Sequence, residues 1–332
     1  MRFLKEEEFI EELSRQFPAK GAVGIGDDCA VIPGKGNTVW LITTDALVEG
    51  VHFLKEQISP KDLGYKTVAV SVSDIAAKGG EPKYAFLSIA MPKIEAKWAS
   101  ELISGIKEAA LEWDLALLGG DTVGSRRDLF LNLTLIGSAQ EGKILYRHGA
   151  KVGDRICVTS TLGDSGGGLK ILQEHLPQSE DGDMLLRAHF RPKPSPEQGA
   201  WLSSQVGVHA MMDLSDGLDC DLGRLITSSR VGASIQVNSI PLSDSLKRVS
   251  KEHGWDSTLL ALTGGEDYCL LCTVDPTQLT SIQRSFQDRF ATPLFEVGAI
   301  AASPPVISYF RDETPIITNY NHFNHFADHE NL

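Results

Sequence analysis

Hydrophobic positions in the first half of the chain follow two different periods, and each stretch of constant period predicts an element. Over residues 3–17, Phe3, Leu4, Phe9, Ile10, Leu13 and Phe17 recur at helical spacing and predict an amphipathic helix. Segments 39–43, 84–90 and 129–136 are rich in β-branched and aromatic residues and predict strands. Between the last two, Leu102, Ile103, Ile106, Ala109, Ala110 and Trp113 share one helical face across 98–113. Pro92 stands just before it, where a strand has to stop. Segment 65–78 fits both periods. Val68, Val70 and Val72 alternate as in a strand, whereas Ala69, Ala76 and Ala77 ahead of Gly79-Gly80 suit a helix and its cap. The helix is the preferred reading.

The second half opens at a polar, glycine-containing turn, 149–154. A strand over 155–159, a glycine turn over 163–168 and a helix over 169–174 follow. Gly163-Asp164-Ser165-Gly166-Gly167-Gly168 does not satisfy G-x-G-x-x-G, and G-x-x-x-x-G-K-[ST] is absent, so these glycines read as a structural turn. Residues 192–196, Pro-Lys-Pro-Ser-Pro, predict a stiff connector; 234–237 and 268–274 predict further strands. Strands alternating with helices throughout predict an α/β (α+β) chain in two parts, 1–148 and 149–332, without internal repeats.

Composition narrows the function. A chain of 332 residues with 42% hydrophobic and 23% charged residues is an ordinary globular protein, long enough for two domains. The net charge of −13 argues against a nucleic-acid partner, because phosphate backbones require a basic face. No apolar run approaches the ~20 residues that cross a bilayer, and the charged start lacks a signal peptide. Five widely spaced cysteines add to a cytoplasmic expectation. Cys269 and Cys272 form a C-x-x-C inside an apolar run with no second pair, which does not read as a zinc site.

Aspartate repeatedly stands where an apolar segment meets glycine or a small polar residue. The instances are Gly26-Asp27-Asp28, Thr43-Thr44-Asp45, Ser73-Asp74, Gly119-Gly120-Asp121, Asp213-Leu214-Ser215-Asp216-Gly217 and Gly264-Gly265-Glu266-Asp267. Any single one is ordinary turn or cap chemistry. Together they suit Mg²⁺, which takes oxygen ligands at ~2.0–2.1 Å. The acids are too far apart in sequence to share one loop, so the fold would have to assemble them. Clustered carboxylates raise one another's pKa unless cations are present, and the cations would in turn need an anionic partner such as a polyphosphate. The phosphatase pattern D-x-D-x-[TV] and the kinase H-R-D and D-F-G are absent, and Ser165, within Asp164-Ser165-Gly166, does not read as a nucleophile elbow.

Ordered blocks carry a resemblance. Ile25-Gly26-Asp27-Asp28-Cys29-Ala30, Thr43-Thr44-Asp45 continuing to Glu49-Gly50-Val51-His52-Phe53, Val72-Ser73-Asp74-Ile75-Ala76-Ala77 and Gly119-Gly120-Asp121-Thr122 resemble the thiamine-monophosphate kinase family. So do Arg147-His148-Gly149, Leu162-Gly163-Asp164-Ser165, Met212-Asp213-Leu214-Ser215-Asp216-Gly217, Gly264-Gly265-Glu266-Asp267-Tyr268 and Asn319-Tyr320-Asn321-His322-Phe323. The resemblance implies the two-domain aminoimidazole ribonucleotide synthetase-like fold, with N-terminal domains pairing across a homodimer and ATP held without a P-loop. It implies transfer of the ATP γ-phosphoryl group to thiamine monophosphate. By resemblance Asp28, Thr44, Asp45, Asp74, Asp121 and Asp213 hold Mg²⁺ with Thr43 beside them, and Asp216 holds a further ion. Gly120, Asp121, Arg147 and Ser215 meet ATP; His52, Glu266 and Tyr320 meet the thiamine phosphate; Asp27, Asp164 and Asp267 are supports. The alternatives are a sister synthetase of the same superfamily and a non-catalytic nucleotide-binding scaffold.

Overall fold

Two β-sheets divide the chain, each with its own apolar cluster, and a third cluster joins Ala76 and Ala77 to the second sheet. In the computed structural model of the protein, residues 6–312 and 314–316 are described. The first part runs α1 (Glu6–Gln16), β1 (Ala30–Pro33), β2 (Thr38–Val48), α2 (Pro60–Ala77), β3 (Glu81–Met91), α3 (Ala96–Glu112), β4 (Ala116–Gly124) and β5 (Phe130–Gln140). Its sheet has the order β1-β2-β5-β3-β4, antiparallel except for the β3–β4 pair. Alternation in β2 and β5 sends Val39, Leu41, Leu131, Leu133 and Leu135 to one face, where they pack with Leu63, Val68, Val72 and Ile75 of α2 and Leu102 and Ile106 of α3. The other face exposes Trp40, Tyr84, Phe86 and Phe130.

The second part contains β6 (Arg155–Val158), α4 (Asp164–Glu174), α5 (Glu180–Phe190), α6 (Pro196–Ser203), β7 (Val208–Asp213), α7 (Leu218–Ser229) and β8 (Gly232–Gln236). It continues with α8 (Asp244–His253), α9 (Ser257–Thr263), β9 (Leu270–Val274), α10 (Leu279–Phe290), β10 (Phe295–Ala301), β11 (Ile307–Arg311) and β12 (Thr314–Ile316). The sheet order is β12-β11-β8-β10-β6-β9-β7.

Helix α2 explains why segment 65–78 matched two periods. It is buried on nearly every side, between the first sheet, α3, α6 and β7, so apolar residues surround it and blur the 3.6 period. Ser59 caps its start by accepting from Asp62 N at 3.0 Å, and Pro60 occupies the first turn, where its missing N–H costs nothing. Gly79 N donates to Ala76 O and Gly80 N to Ile75 O, which ends the helix as its glycines predict.

Three expectations need correction. The glycine turn at 163–168 is largely helix, because α4 begins at Asp164. Its glycines serve packing: a Cβ on Gly168 would lie 2.4 Å from the Leu185 carbonyl of α5. Strand β9 starts at Leu270, since Tyr268 adopts φ 48° and is bent away from a strand. The connector 192–196 already includes the first residue of α6, Pro196, with Ser195 as its cap.

Candidate active site

The acidic positions converge on α2. Ser71, Asp74 and Lys78, spaced i, i+3 and i+7, share one helical face. Ser71 Oγ donates to Asp45 Oδ2 at 2.7 Å, Thr43 Oγ1 donates to Asp74 Oδ2, and Ser73 Oγ donates to Asp213 Oδ2 at 2.6 Å. Carboxylate oxygens of Asp28, Asp74 and Asp213 all lie within 4.8 Å of one another. Strand alternation decides which threonine takes part. Thr43 and Asp45 face α2, whereas Thr44 lies on the open face, 3.2 Å from the Thr134 hydroxyl.

Two cations serve these acids. Arg147 Nε donates to Asp28 Oδ1 at 2.7 Å, and its backbone N donates to Asp27 Oδ2. Lys78 Nζ bonds Asp27 and lies 2.7 Å from Asp28 Oδ2, an oxygen that accepts no hydrogen bond. Burial pushes the Asp28 carboxyl up, but Lys78 and Arg147 outweigh it and hold the group below the usual range. Among the described residues no cation pairs with Asp74. Burial, then the charges of Asp45, Asp213 and Asp28, push it well up. Burial and the Asp28 charge push Asp213 up to about 7. A trio of oxygen donors, two of them reluctant to ionise alone and one with an oxygen free to accept, fits a hard divalent cation.

Two loops lie beside the trio. After β7, Ser215 N and Asp216 N both donate to Asp221 Oδ2, at 3.0 and 2.9 Å, and Arg224 bonds Asp216 and Asp221. Burial, then the Asp216 charge, push Asp221 up to about 8. The loop before β9 is fastened to the first: Glu266 N donates to Ser215 O at 2.7 Å and Tyr268 N to Leu214 O at 2.8 Å. Glu266 and Tyr268 hold φ of 57° and 48°, the left-handed region that only firm tethering sustains for such side chains. The Glu266 carboxylate is 2.9 Å from Lys66 Nζ of α2 and 3.1 Å from His189 Nδ1 of α5. Burial raises Glu266, but Lys66 and His189 outweigh it and keep the group ionised, well below its ordinary value.

Other expected residues lie apart from the trio. Gly120 and Asp121 sit on the exposed edge strand β4, and the pairing of Asp121 with Ser88 puts it on the open sheet face. His52 follows β2, where its Nδ1 accepts from Val48 N at 3.0 Å. Asp164 accepts from Thr161 and Ser243, and Asp267 from Gly163 N. Tyr320 lies outside the described residues. Sequence reasoning missed Lys66, Lys78, His189 and Asp221. The two lysines had a signal: they are charges inside an otherwise apolar segment.

Comparison with known proteins shows the family to which the chain belongs. The family "AIR synthase related protein, N-terminal domain" matches residues 26–139, and its C-terminal domain counterpart matches 151–304. Thiamine-monophosphate kinase of Escherichia coli is 37% identical over 310 residues, 92% of each chain. That of Bacillus subtilis is 33% identical over 312 residues, 92% of this chain and 93% of its own. Among solved structures, "AaThiL complexed with AMPPCP and TMP" superposes with a TM-score of 0.85 at 30% identity, covering 98% of this chain and 99% of that one. A HypE–HypF complex, at 19% identity and a TM-score of 0.73, shares the fold.

Proposed function

The chain belongs to the thiamine-monophosphate kinase family of AIR synthase related proteins, and from that premise we propose how its residues carry the reaction. The protein transfers the γ-phosphoryl group of ATP to thiamine monophosphate, giving thiamine diphosphate and ADP. One observation carries the reading at the level of residues: Asp28, Asp74 and Asp213, remote in sequence, bring carboxylate oxygens within 4.8 Å of one another.

The attacking atom is a phosphate oxygen already ionised near neutral pH, so no general base is required. The obstacle is repulsion between two polyanions, and phosphoryl transfer depends on alignment and charge neutralisation. Asp28, Asp45, Asp74 and Asp213, with Thr43 beside them, would hold Mg²⁺, which when bound would neutralise phosphate oxygens. Arg147, a partly exposed guanidinium at the rim of the trio, offers two-pronged contacts to a phosphate. Ser215 meets ATP and Asp216 takes a further ion, on a loop whose shape Asp221 maintains. Glu266, ionised and tethered, faces the cationic thiamine ring; His52 and Tyr320 complete that subsite.

The homodimer expected of the family has a physical basis in Trp40, Tyr84, Phe86 and Phe130, which form an exposed apolar sheet face. Thr44 and Asp121 lie on this face, so the second copy covers them and each contributes to its site from there, with Gly120 beside Asp121 on the edge strand β4. The domain boundary falls at 148/149, between the end of β5 and the start of β6. No helix among the described residues is long and apolar enough to cross a membrane. Five free cysteines suit the reducing cytoplasm, where we place the protein. The test is incubation with ATP, Mg²⁺ and thiamine monophosphate: thiamine diphosphate and ADP form in equal amounts, and absence of product at saturating Mg²⁺ overturns the assignment.

A further inference from the structure

Lys78 has no exposed surface, and a buried ammonium persists only where its charge and its protons are satisfied. It follows α2 directly, where a cation also suits the helix C-terminus. That alone does not account for its surroundings. Its Nζ donates to Asp27 and, at 3.4 Å, to the Met211 carbonyl, and stands 2.7 Å from Asp28 Oδ2, so its charge is met by oxygens and it has no route out. Asp28 is therefore bracketed, with Arg147 on Oδ1 and Lys78 against Oδ2. The two cations differ: Arg147 reaches solvent and can turn towards a ligand, whereas Lys78 is fixed.

We propose that Lys78 is a resident cation of the acidic site, a positioning residue that fixes Asp28 and weakens Mg²⁺ binding by supplying part of the neutralisation itself. The proposal rests on the reading of the trio as a Mg²⁺ site. Lys78 holds the Asp28 carboxylate in place while the site has no ion, so the trio does not have to rearrange when one arrives. Its positive charge, a few ångströms from the ion's position, repels that ion and keeps the affinity moderate.

The experiment measures melting temperature against Mg²⁺ concentration, without ATP or substrate, for the wild-type protein, Lys78→Met and Lys78→Gln. Binding to the folded state appears as a rise in melting temperature whose midpoint reports affinity. Both neutral variants melt lower than wild type in the metal-free state, and their Mg²⁺ midpoint falls by about tenfold or more. A lysine with a purely structural role lowers the melting temperature but leaves the midpoint unchanged or raises it, and that result overturns the proposal. Lys78→Gln keeps a donor for Asp27 and decides the matter if Lys78→Met does not fold. A wild-type protein with no Mg²⁺ response sinks the metal reading instead, and this proposal with it; an intact response with an unshifted midpoint sinks only the role of Lys78.

Discussion

At the scale of single residues, the site is governed by whether a carboxylate has a cation beside it. Among the described residues Asp28 has two and Asp74 has none, although both belong to one trio. Asp74→Asn removes a charge that the metal-free fold opposes, so the variant melts no lower than wild type without metal, while turnover falls by about a hundredfold or more. Unchanged turnover at limiting Mg²⁺ removes Asp74 from the site. Asp213 makes a prediction in pH. Its carboxyl is raised from 3.8 unfolded to about 7 folded, so the folded state binds the proton more tightly. The stability it contributes is full below about pH 4 and is lost as the pH rises through about 7. Asp74, Asp221 and Asp267 shift in the same direction. Asp28 and Glu266 shift downward and lose their protons below this window. In chelator, the melting temperature therefore falls between pH 5 and 8, and Asp213→Asn flattens the slope; a slope unaltered in that variant disproves the assignment.

At the scale of elements, α2 does most of the organising. It places Lys66, Ser71, Ser73, Asp74 and Lys78 against five different acids, and it can do so only because α3 packs very closely behind it. A Cβ on Gly105 of α3 would stand 1.8 Å from the Lys61 carbonyl of α2. Gly105→Ala thus forces the helices apart and destabilises the protein by about 1–3 kcal/mol in urea unfolding. Activity falls further than stability explains, because α2 carries the site; a variant as stable and active as wild type removes this coupling. The same helix was the least legible in sequence. Val68, Val70 and Val72 alternate, and burial on all sides erased the polar stripe that marks a surface helix. Segments 98–113 and 129–136, each with one buried face, were legible for the opposite reason. The glycines at 166–168 misled because a glycine run marks a turn and close helix packing equally well.

At the scale of the whole molecule, Lys66–Glu266 ties the α2 side of the first part to the β9 loop of the second, and Ser73–Asp213 does the same one step away. The acidic cluster therefore lies where the two parts meet. The open sheet face predicts a dimer in solution. Phe86→Glu places a charge in the middle of that face and yields a monomer by sedimentation, with circular dichroism unchanged. Dimers of undiminished affinity would show that this face is not the interface.

From the sequence alone followed the two-part α/β plan, the acidic positions and the family, because these depend on local period and the order of short blocks. Only the tertiary structure decided which acids meet. Asp28, Asp74 and Asp213 are brought together by packing α2 between β2 and β7, which no local rule foresees. It also decided that Thr43 and Asp45 turn inward while Thr44 turns out, since that depends on which face of β2 receives a helix. The partners Lys66, Lys78, His189 and Asp221 became visible only there. A buried charge has meaning through the groups that surround it, and those come from distant parts of the chain.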